Sequence, residues 1–345
     1  MSIKLLPMPV LKARYIAAVP LVFALCYGGN FRAWGQSESD APAPPSTPLS
    51  PLNLAPEEVS HLQAALVQHD YVAAETLLLN DIGKDPKSLH SASLLAYLGS
   101  VYFLNHDYLN AAIAWKKSDS IKMLQPELQF SLAMAYIQIA HPDWATKVLE
   151  SLAAQDKKNA LYVYWLGRLD YDSHHYPQAI SHFQQAIALD PTMARAYDNL
   201  ALCLFYENDN ALAIENFKKA IELDRTAQHP SAWPYVNLAE TQEFLGDSQA
   251  AEANLREAVR LDPQLAVAHY RLGQTLQDQD RLENAIEEFL TAGRLDPSYA
   301  EPHIELAHAY NKLGRKDAAQ EQVKIYLRLH QKAPGEASRP PTLNP

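Results

Sequence analysis

One residue pattern returns at a fixed spacing through most of this chain, and it decides what the chain can fold into. From Gly167 in YWLGRL, the pattern runs to Ala179, Phe183, Ala186 and Pro191. A step of 34 residues puts Ala201 at the anchor, followed by Ala213, Phe217 and Ala220, with Arg225 in the proline position. The next step is 38, to Ala239, with Ala251, Leu255, Ala258 and Pro263 behind it. Two more steps of 34 reach Gly273 (Ala285, Phe289, Ala292, Pro297) and Ala307 (Ala319, Val323, Tyr326). Backwards, Gly99 leads to Ala111 and Trp115, and Ala133 leads to Ala145 and Leu149. Residues 56–86 give a weaker unit with Leu62, Ala74, Leu78 and Pro86. The four extra residues of the long step fall in RTAQHPSAWP, a loop, where insertion costs little.

Each unit reads as two helices. Tyr197, Leu200, Ala201 and Leu204 show the helical spacing of the first. A short turn follows, such as Asn208-Asp209-Asn210, Gly246-Asp247 or Gly314-Arg315. The second helix carries Ala-x-x-x-Phe-x-x-Ala, a stripe at i, i+4 and i+7. Small residues twelve apart across the turn, such as Gly167 and Ala179, let two antiparallel helices approach closely. Asp-Pro then stops the second helix. The run Asn216-Phe217-Lys218-Lys219 and the pair Glu287-Glu288 are expected to face water.

Leu-Gly or Leu-Ala in the first helix, Ala-x-x-x-Phe-x-x-Ala in the second and Asp-Pro at the end, at period 34, resemble the tetratricopeptide repeat family. The resemblance covers 56–331, with repeats near 56–89, 92–125, 126–159, 160–193, 194–227, 232–265, 266–299 and 300–331. Asp170, Arg225 and Lys157 depart from the family pattern. The resemblance implies an all-α fold, a right-handed superhelical solenoid of about seven to eight helix-turn-helix repeats. It also implies a concave face, lined by the first helices, that binds a protein or peptide partner.

The family's geometry names that face. It takes Phe130 upstream, Tyr164, Arg168 and Tyr171 around Gly167, and Arg195, Asp198 and Phe205 around Ala201. It continues with Trp233, Glu240 and Glu243 around Ala239, then Tyr270, Gln274 and Gln277 around Gly273. Tyr164, Arg168, Asp198 and Leu202 do not match the Lys, Asn and Arg with which some family members clamp a C-terminal carboxylate. Aromatic anchors suit an apolar partner segment instead.

The two ends differ from the middle. Residues 1–35 hold Lys4, Lys12, Arg14 and Arg32 and no acid, and 15–29 are uncharged. A basic stretch before a short apolar one reads as a signal peptide, cut before Gln36, and predicts a periplasmic or extracellular protein. An uncleaved membrane anchor and lipidation at Cys26 are the alternatives. Residues 36–55 form a Pro/Ser-rich linker and 332–345 a tail of similar character, expected to be disordered. Net charge is −11, and without the first 35 residues 25 basic residues face 40 acidic ones. An acidic body repels phosphate, so neither nucleic acid nor strong membrane binding after cleavage is expected.

Motif searches return no phosphate loop, dinucleotide fingerprint, zinc-protease motif, nucleophile elbow or Cys pair. No enzyme activity, cofactor or metal is therefore expected. His174-His175 with His182 reads as turn histidines, and Cys203 as a small packing residue. The expected function is a non-catalytic scaffold holding a partner segment. The alternatives are a self-associating structural component of the cell envelope and an accessory regulatory subunit of an enzyme system. Val323, Ile325, Tyr326 and Leu327 in the last helix motivate the self-associating alternative.

Overall fold

A computed structural model describes residues 52–331, and among them the chain is all-helical, with sixteen α-helices and no strand. The expected leader at 1–35, the linker up to residue 51 and the tail at 332–345 lie outside the described residues. Contacts divide the described chain into two compact units, 52–169 and 170–331. The first contains α1 (Pro56–Val67), α2 (Tyr71–Ile82), α3 (Leu89–Leu104), α4 (Tyr108–Ile121), α5 (Pro126–Gln138) and α6 (Pro142–Gln155). The unit boundary falls within α7 (Ala160–Asp172). The second contains α8 (Tyr176–Leu189), α9 (Ala194–Tyr206), α10 (Asn210–Asp224), α11 (Trp233–Phe244) and α12 (Ser248–Leu261). It ends with α13 (Ala266–Asp278), α14 (Leu282–Leu295), α15 (Glu301–Lys312) and α16 (Lys316–Gln331). Within each unit every helix packs on the next.

One turn closes all eight helix pairs. His69, His106, Ala140, His174, Asn208, Gly246, Asp280 and Gly314 adopt left-handed backbone, with φ from 54° to 81°. The following N–H reaches back to the last turn of the first helix, from Asp70 to Ala65 O (2.8 Å) through Arg315 to Tyr310 O (2.8 Å). This satisfies a carbonyl that the helix end would otherwise orphan. Only two of the eight are glycine, and Ala140 takes this conformation with no side-chain bond to favour it. Asp70, Asp107, Asp209 and Asp247 then cap the second helix by accepting from the N–H of Ala73, Asn110, Leu212 and Ala250. His69, His106 and His174 each pair Nδ1 with the hydroxyl of Tyr71, Tyr108 and Tyr176, at 3.0, 2.9 and 2.9 Å. His182 pairs with Asp170 at 2.7 Å.

The repeat ends on its aspartate more than on its proline. Asp190, Asp262 and Asp296 leave the helix in extended backbone, as a residue before proline must. Each carboxylate accepts from the N–H two residues on, at 2.9, 2.9 and 3.0 Å. Asp156 does the same with Lys158 N–H (3.1 Å), although Lys157 replaces the proline. Arg225 in that place has another outcome: α10 includes Asp224, and the Asp224 carboxylate caps Ser231 N–H across the four-residue insertion.

Helix approach is set by the small residues. Ala111, Ala145, Ala179, Ala213, Ala251 and Ala285 are fully buried, as are Trp115, Phe183, Phe217 and Phe289. A Cβ on Gly99 would lie 2.5 Å from Trp115, and one on Gly273 would lie 2.6 Å from Phe289. The aromatic ring of the second helix thus occupies the space a side chain would need. Glu288 corrects the expectation of a water-facing pair: it is half-buried and lies 2.6 Å from His269 Nδ1 on α13. The row beside the buried stripe of α14 faces the helix before it, so Glu287 is exposed while Glu288 is not.

Candidate functional site

In the second unit the first helices of successive pairs touch directly, α9 to α11, α11 to α13 and α13 to α15. Polar side chains link them. Asn237 Nδ2 donates to both carboxylate oxygens of Asp198, at 3.2 Å each, and both residues are buried. From α13, Arg271 donates through Nη2 to Glu240 (3.0 Å) on α11 and through Nη1 to Gln274 Oε1 (3.1 Å). Gln274 Nε2 donates in turn to the Tyr270 hydroxyl at 2.9 Å. Between α13 and α15, Gln277 Nε2 donates to Glu305 at 2.9 Å.

The Arg271 and Gln277 rungs border an open cleft of about 230 Å³, lined by Glu240, Glu243, Leu255, Arg271, Gln274, Thr275, Gln277, Asp278 and Glu305. Four carboxylates there face one guanidinium. Burial pushes the Glu240 carboxyl up to about 6, against the opposing pull of Arg271. Burial also raises the phenols of Tyr270 and Tyr299 far above their ordinary value, so both stay neutral. Three buried atoms in the cleft lining have no hydrogen-bond partner in the chain: Glu243 Oε1, Gln277 Oε1 and Arg271 Nε. Such atoms are costly when left unanswered, at about 1–3 kcal/mol each.

The residues expected on the binding face divide by burial, with Glu240, Glu243 and Gln277 half-buried. Phe130, Tyr164, Arg168, Tyr171, Asp198 and Tyr270 are buried, while Arg195, Phe205, Trp233 and Gln274 are half-buried. The Phe130 ring packs on Tyr162 (5.6 Å between centroids), Tyr171 on Tyr176 (5.8 Å), and Tyr270 on Tyr299 (5.1 Å). Those rings lie beneath the surface rather than on it. Phe205 reaches the surface through Phe244, edge-on at 5.4 Å, and Phe244 is 67% exposed. The structure brings Glu240, Glu243, Gln274 and Gln277 together in the cleft, as their shared row implied.

Sequence reasoning missed Arg271, Glu305 and Phe244. A signal existed for the first two. Two positions before each small anchor residue stand Asn199, Asn237, Arg271 and Glu305, polar in every repeat of the second unit. Cys203 is buried in α9 and is not part of a disulfide. Among the described residues there is no group of three or more His, Cys, Asp or Glu placed to hold a metal. No helix among them is long and apolar enough to cross a membrane.

The tetratricopeptide repeat profile matches residues 160–193 and 192–264, and a further TPR repeat profile matches 276–314. The chain belongs to the tetratricopeptide repeat family. Its repeats are 24% identical over 206 residues to a DnaJ homolog subfamily C member 7 homolog of Dictyostelium discoideum, covering 55% of this chain and 38% of that protein. The chain spans well under half the length of the curated relatives it matches. A solved tetratricopeptide repeat protein of Parabacteroides merdae superposes with a TM-score of 0.59 at 17% identity, covering 79% of this chain and 98% of the other. PilW, a type IV pilus biogenesis factor, superposes at 0.55 with 22% identity over 61% of this chain and 95% of its own. At these identities the likeness is one of fold: tandem tetratricopeptide helix pairs.

Proposed function

We propose that the chain is a non-catalytic protein–protein interaction scaffold, and that the first helices of its second unit hold a segment of a partner. The carrying observation is the cleft of about 230 Å³ between α11, α13 and α15, lined by Glu240, Glu243, Arg271, Gln274, Gln277 and Glu305. Its tetratricopeptide repeats support an interaction role, and its acid-rich lining gives the site chemical selectivity. A photo-crosslinking residue placed at Gln274 or Phe244 then captures the partner, and one at the exposed Glu287 on α14 does not. Equal capture from all three positions overturns the reading, and so does capture from Glu287 alone.

Export stands beside this as a proposal on the basic and apolar leader at 1–35. N-terminal sequencing of the mature chain from its native cell tests it, with Gln36 expected first. A first residue at Met1 or Ser2 removes it.

A further inference from the structure

We propose that His269 is a proton-operated clamp: as an imidazolium it ties α13 at once to α14 and to the linker after α12, and on losing its proton it lets the linker go. The clamp rests on the hydrogen bonds of one ring and stands apart from the partner reading of the neighbouring cleft.

The ring is buried on α13, and both of its nitrogens face oxygen. Nδ1 lies 2.6 Å from a carboxylate oxygen of Glu288 on α14, and Nε2 lies 3.3 Å from the carbonyl of Pro263 in the α12–α13 linker. A carbonyl can only accept, and so can a carboxylate. Making both bonds therefore takes an N–H on each nitrogen, which only the imidazolium has. A neutral imidazole has one N–H and gives up one bond. The Glu288 bond is the shorter and is the one kept, so Nε2 turns a lone pair toward Pro263 and the linker is freed. Pro263 itself is exposed, so its carbonyl then has water to turn to. Arg271, two residues along α13, bonds Glu240 on α11, so the clamp holds the helix that forms one wall of the cleft.

The next repeat holds the same pair without the charge. His303 and Gln322 occupy the positions of His269 and Glu288 one repeat on, and Nδ1 pairs with Gln322 Oε1 at 2.7 Å. The other edge of that ring lies against Gly293, where a Cβ would come within 3.4 Å of Nε2. One N–H is enough there, and neutral imidazole supplies it. At His269 the Glu288 bond raises the imidazole above its ordinary value, while burial and then the charge of Arg294 on α14 oppose it. Among the charges on the other elements packed against α13, Glu257 and Arg260 of α12 pair together at 2.6 Å and Glu240 of α11 is taken by Arg271 at 3.0 Å. Glu305 of α15 accepts from Gln277 at 2.9 Å, and Asp262 in the linker accepts from Gln264 N–H at 2.9 Å.

The test reads the ring directly, by NMR of the full chain carrying nitrogen-15 histidine, the His269 signals being those missing from His269→Asn. The ring is expected to titrate above 6.5, with both N–H groups present below its midpoint. Above the midpoint it is expected in the Nδ1–H form, the reverse of the tautomer a free histidine side chain prefers. Across the same midpoint, exchange of the Leu265 and Ala268 amides, corrected for the intrinsic effect of pH, is expected to accelerate about 5-fold, the effect of losing one hydrogen bond. Glu288→Gln gives His269 the partner that His303 has, so its midpoint falls by about 1 pH unit or more and the exchange step moves with it. Gln322→Glu raises the His303 midpoint by a similar amount. A neutral His269 in the Nε2–H form overturns the clamp, since that form keeps Pro263 and gives up Glu288. So does a midpoint at or below 6.5, or linker exchange that ignores the His269 midpoint. Should Glu288→Gln fail to fold, the tautomer and the exchange step of the native chain still decide.

Discussion

The two units share one repeat frame and fill one position of it differently. Two residues before the small anchor, the first unit carries Tyr97, Ser131 and Trp165, all buried or nearly so. The second carries Asn199, Asn237, Arg271 and Glu305. Neighbouring helices differ in the same sense. Helix α3 has no charged residue, while α11 has Glu240 and Glu243 and α13 has Arg271 and Asp278. An aromatic ring at this position fills space. An amide or charged group needs a partner, and Asn237, Arg271 and Glu305 each find one on the preceding first helix. The frame therefore sets where a side chain goes, and the identity at one row decides whether it packs or hydrogen-bonds to a neighbouring first helix.

The frame should fail similarly in both units when its closest contact is broken, but not equally. A methyl on Gly99 meets Trp115 at 2.5 Å, and the Trp115 ring is tethered by its Nε1 donating to Ala96 O at 2.9 Å. A methyl on Gly273 meets the untethered Phe289 ring at 2.6 Å. Overpacking costs about 1–3 kcal/mol and is least where the neighbour can shift. Gly99→Ala is expected near the upper end, about 3 kcal/mol, and Gly273→Ala lower. Local hydrogen exchange in α3–α4 and α13–α14 reads each loss separately, because repeat stabilities act through nearest neighbours. Equal costs would break the account of the tether.

The repeat was legible in the sequence because its signals are steric and local. Gly99, Ala179 and Phe183 recur at fixed spacing, since each space left by a small residue must match one ring. The turns were half-legible. Gly246 and Gly314 announce left-handed backbone, but Ala140 and His69 do not, because there the tertiary closure imposes a conformation the residue itself disfavours. The site was legible as a row and not as a set of contacts. Tyr164 and Tyr270 lie on the expected row and are nonetheless buried, because a ring on a first helix reaches its neighbours before it reaches solvent. Arg271 and Glu305 were missed because their role depends on partners 31 and 28 residues away, Glu240 and Gln277.

Acid–base behaviour sharpens the contrast between the units. In the second, burial raises the Glu240 carboxyl from 4.5 to about 6. Its contribution to stability is whole below about pH 4.5 and is lost as pH rises through 6, a loss of about 2 kcal/mol by pH 7. His269 is raised above 6.5 by its bond to Glu288, so its contribution is likewise present below 6.5 and lost above its folded value. In the first unit, Asp81 is held below 3.8 by Lys84 and then His90, which gives the opposite sign: stability present above 3.8 and lost as pH falls through the depressed value. Hydrogen exchange in α11–α13 is expected to show local stability declining by about 2 kcal/mol from pH 4.5 to 7, with Glu240→Gln removing most of that slope. A slope unchanged by Glu240→Gln would move its origin to His269.

The smallest effect tests whether the shared turn costs the same in both units. Ala140 holds φ 58° in the first unit, and Gly246 holds φ 81° in the second. The left-handed region costs a residue with a Cβ about 1–2 kcal/mol, and glycine avoids that at an entropic cost to the unfolded chain of about 0.4–1 kcal/mol. Gly246→Ala is therefore expected to destabilise by about 1 kcal/mol, and Ala140→Gly to stabilise by a similar or smaller amount. A Cβ on Gly246 meets nothing within 4 Å, so backbone strain alone carries the first effect. Thermal melts of the two variants and of their combination separate the contributions, which should add because the turns are far apart in sequence and share no partner. If Ala140→Gly destabilises, the left-handed turn of the first unit is held by the Ala140 side chain rather than against it. The turn would then cease to be the element both units have in common.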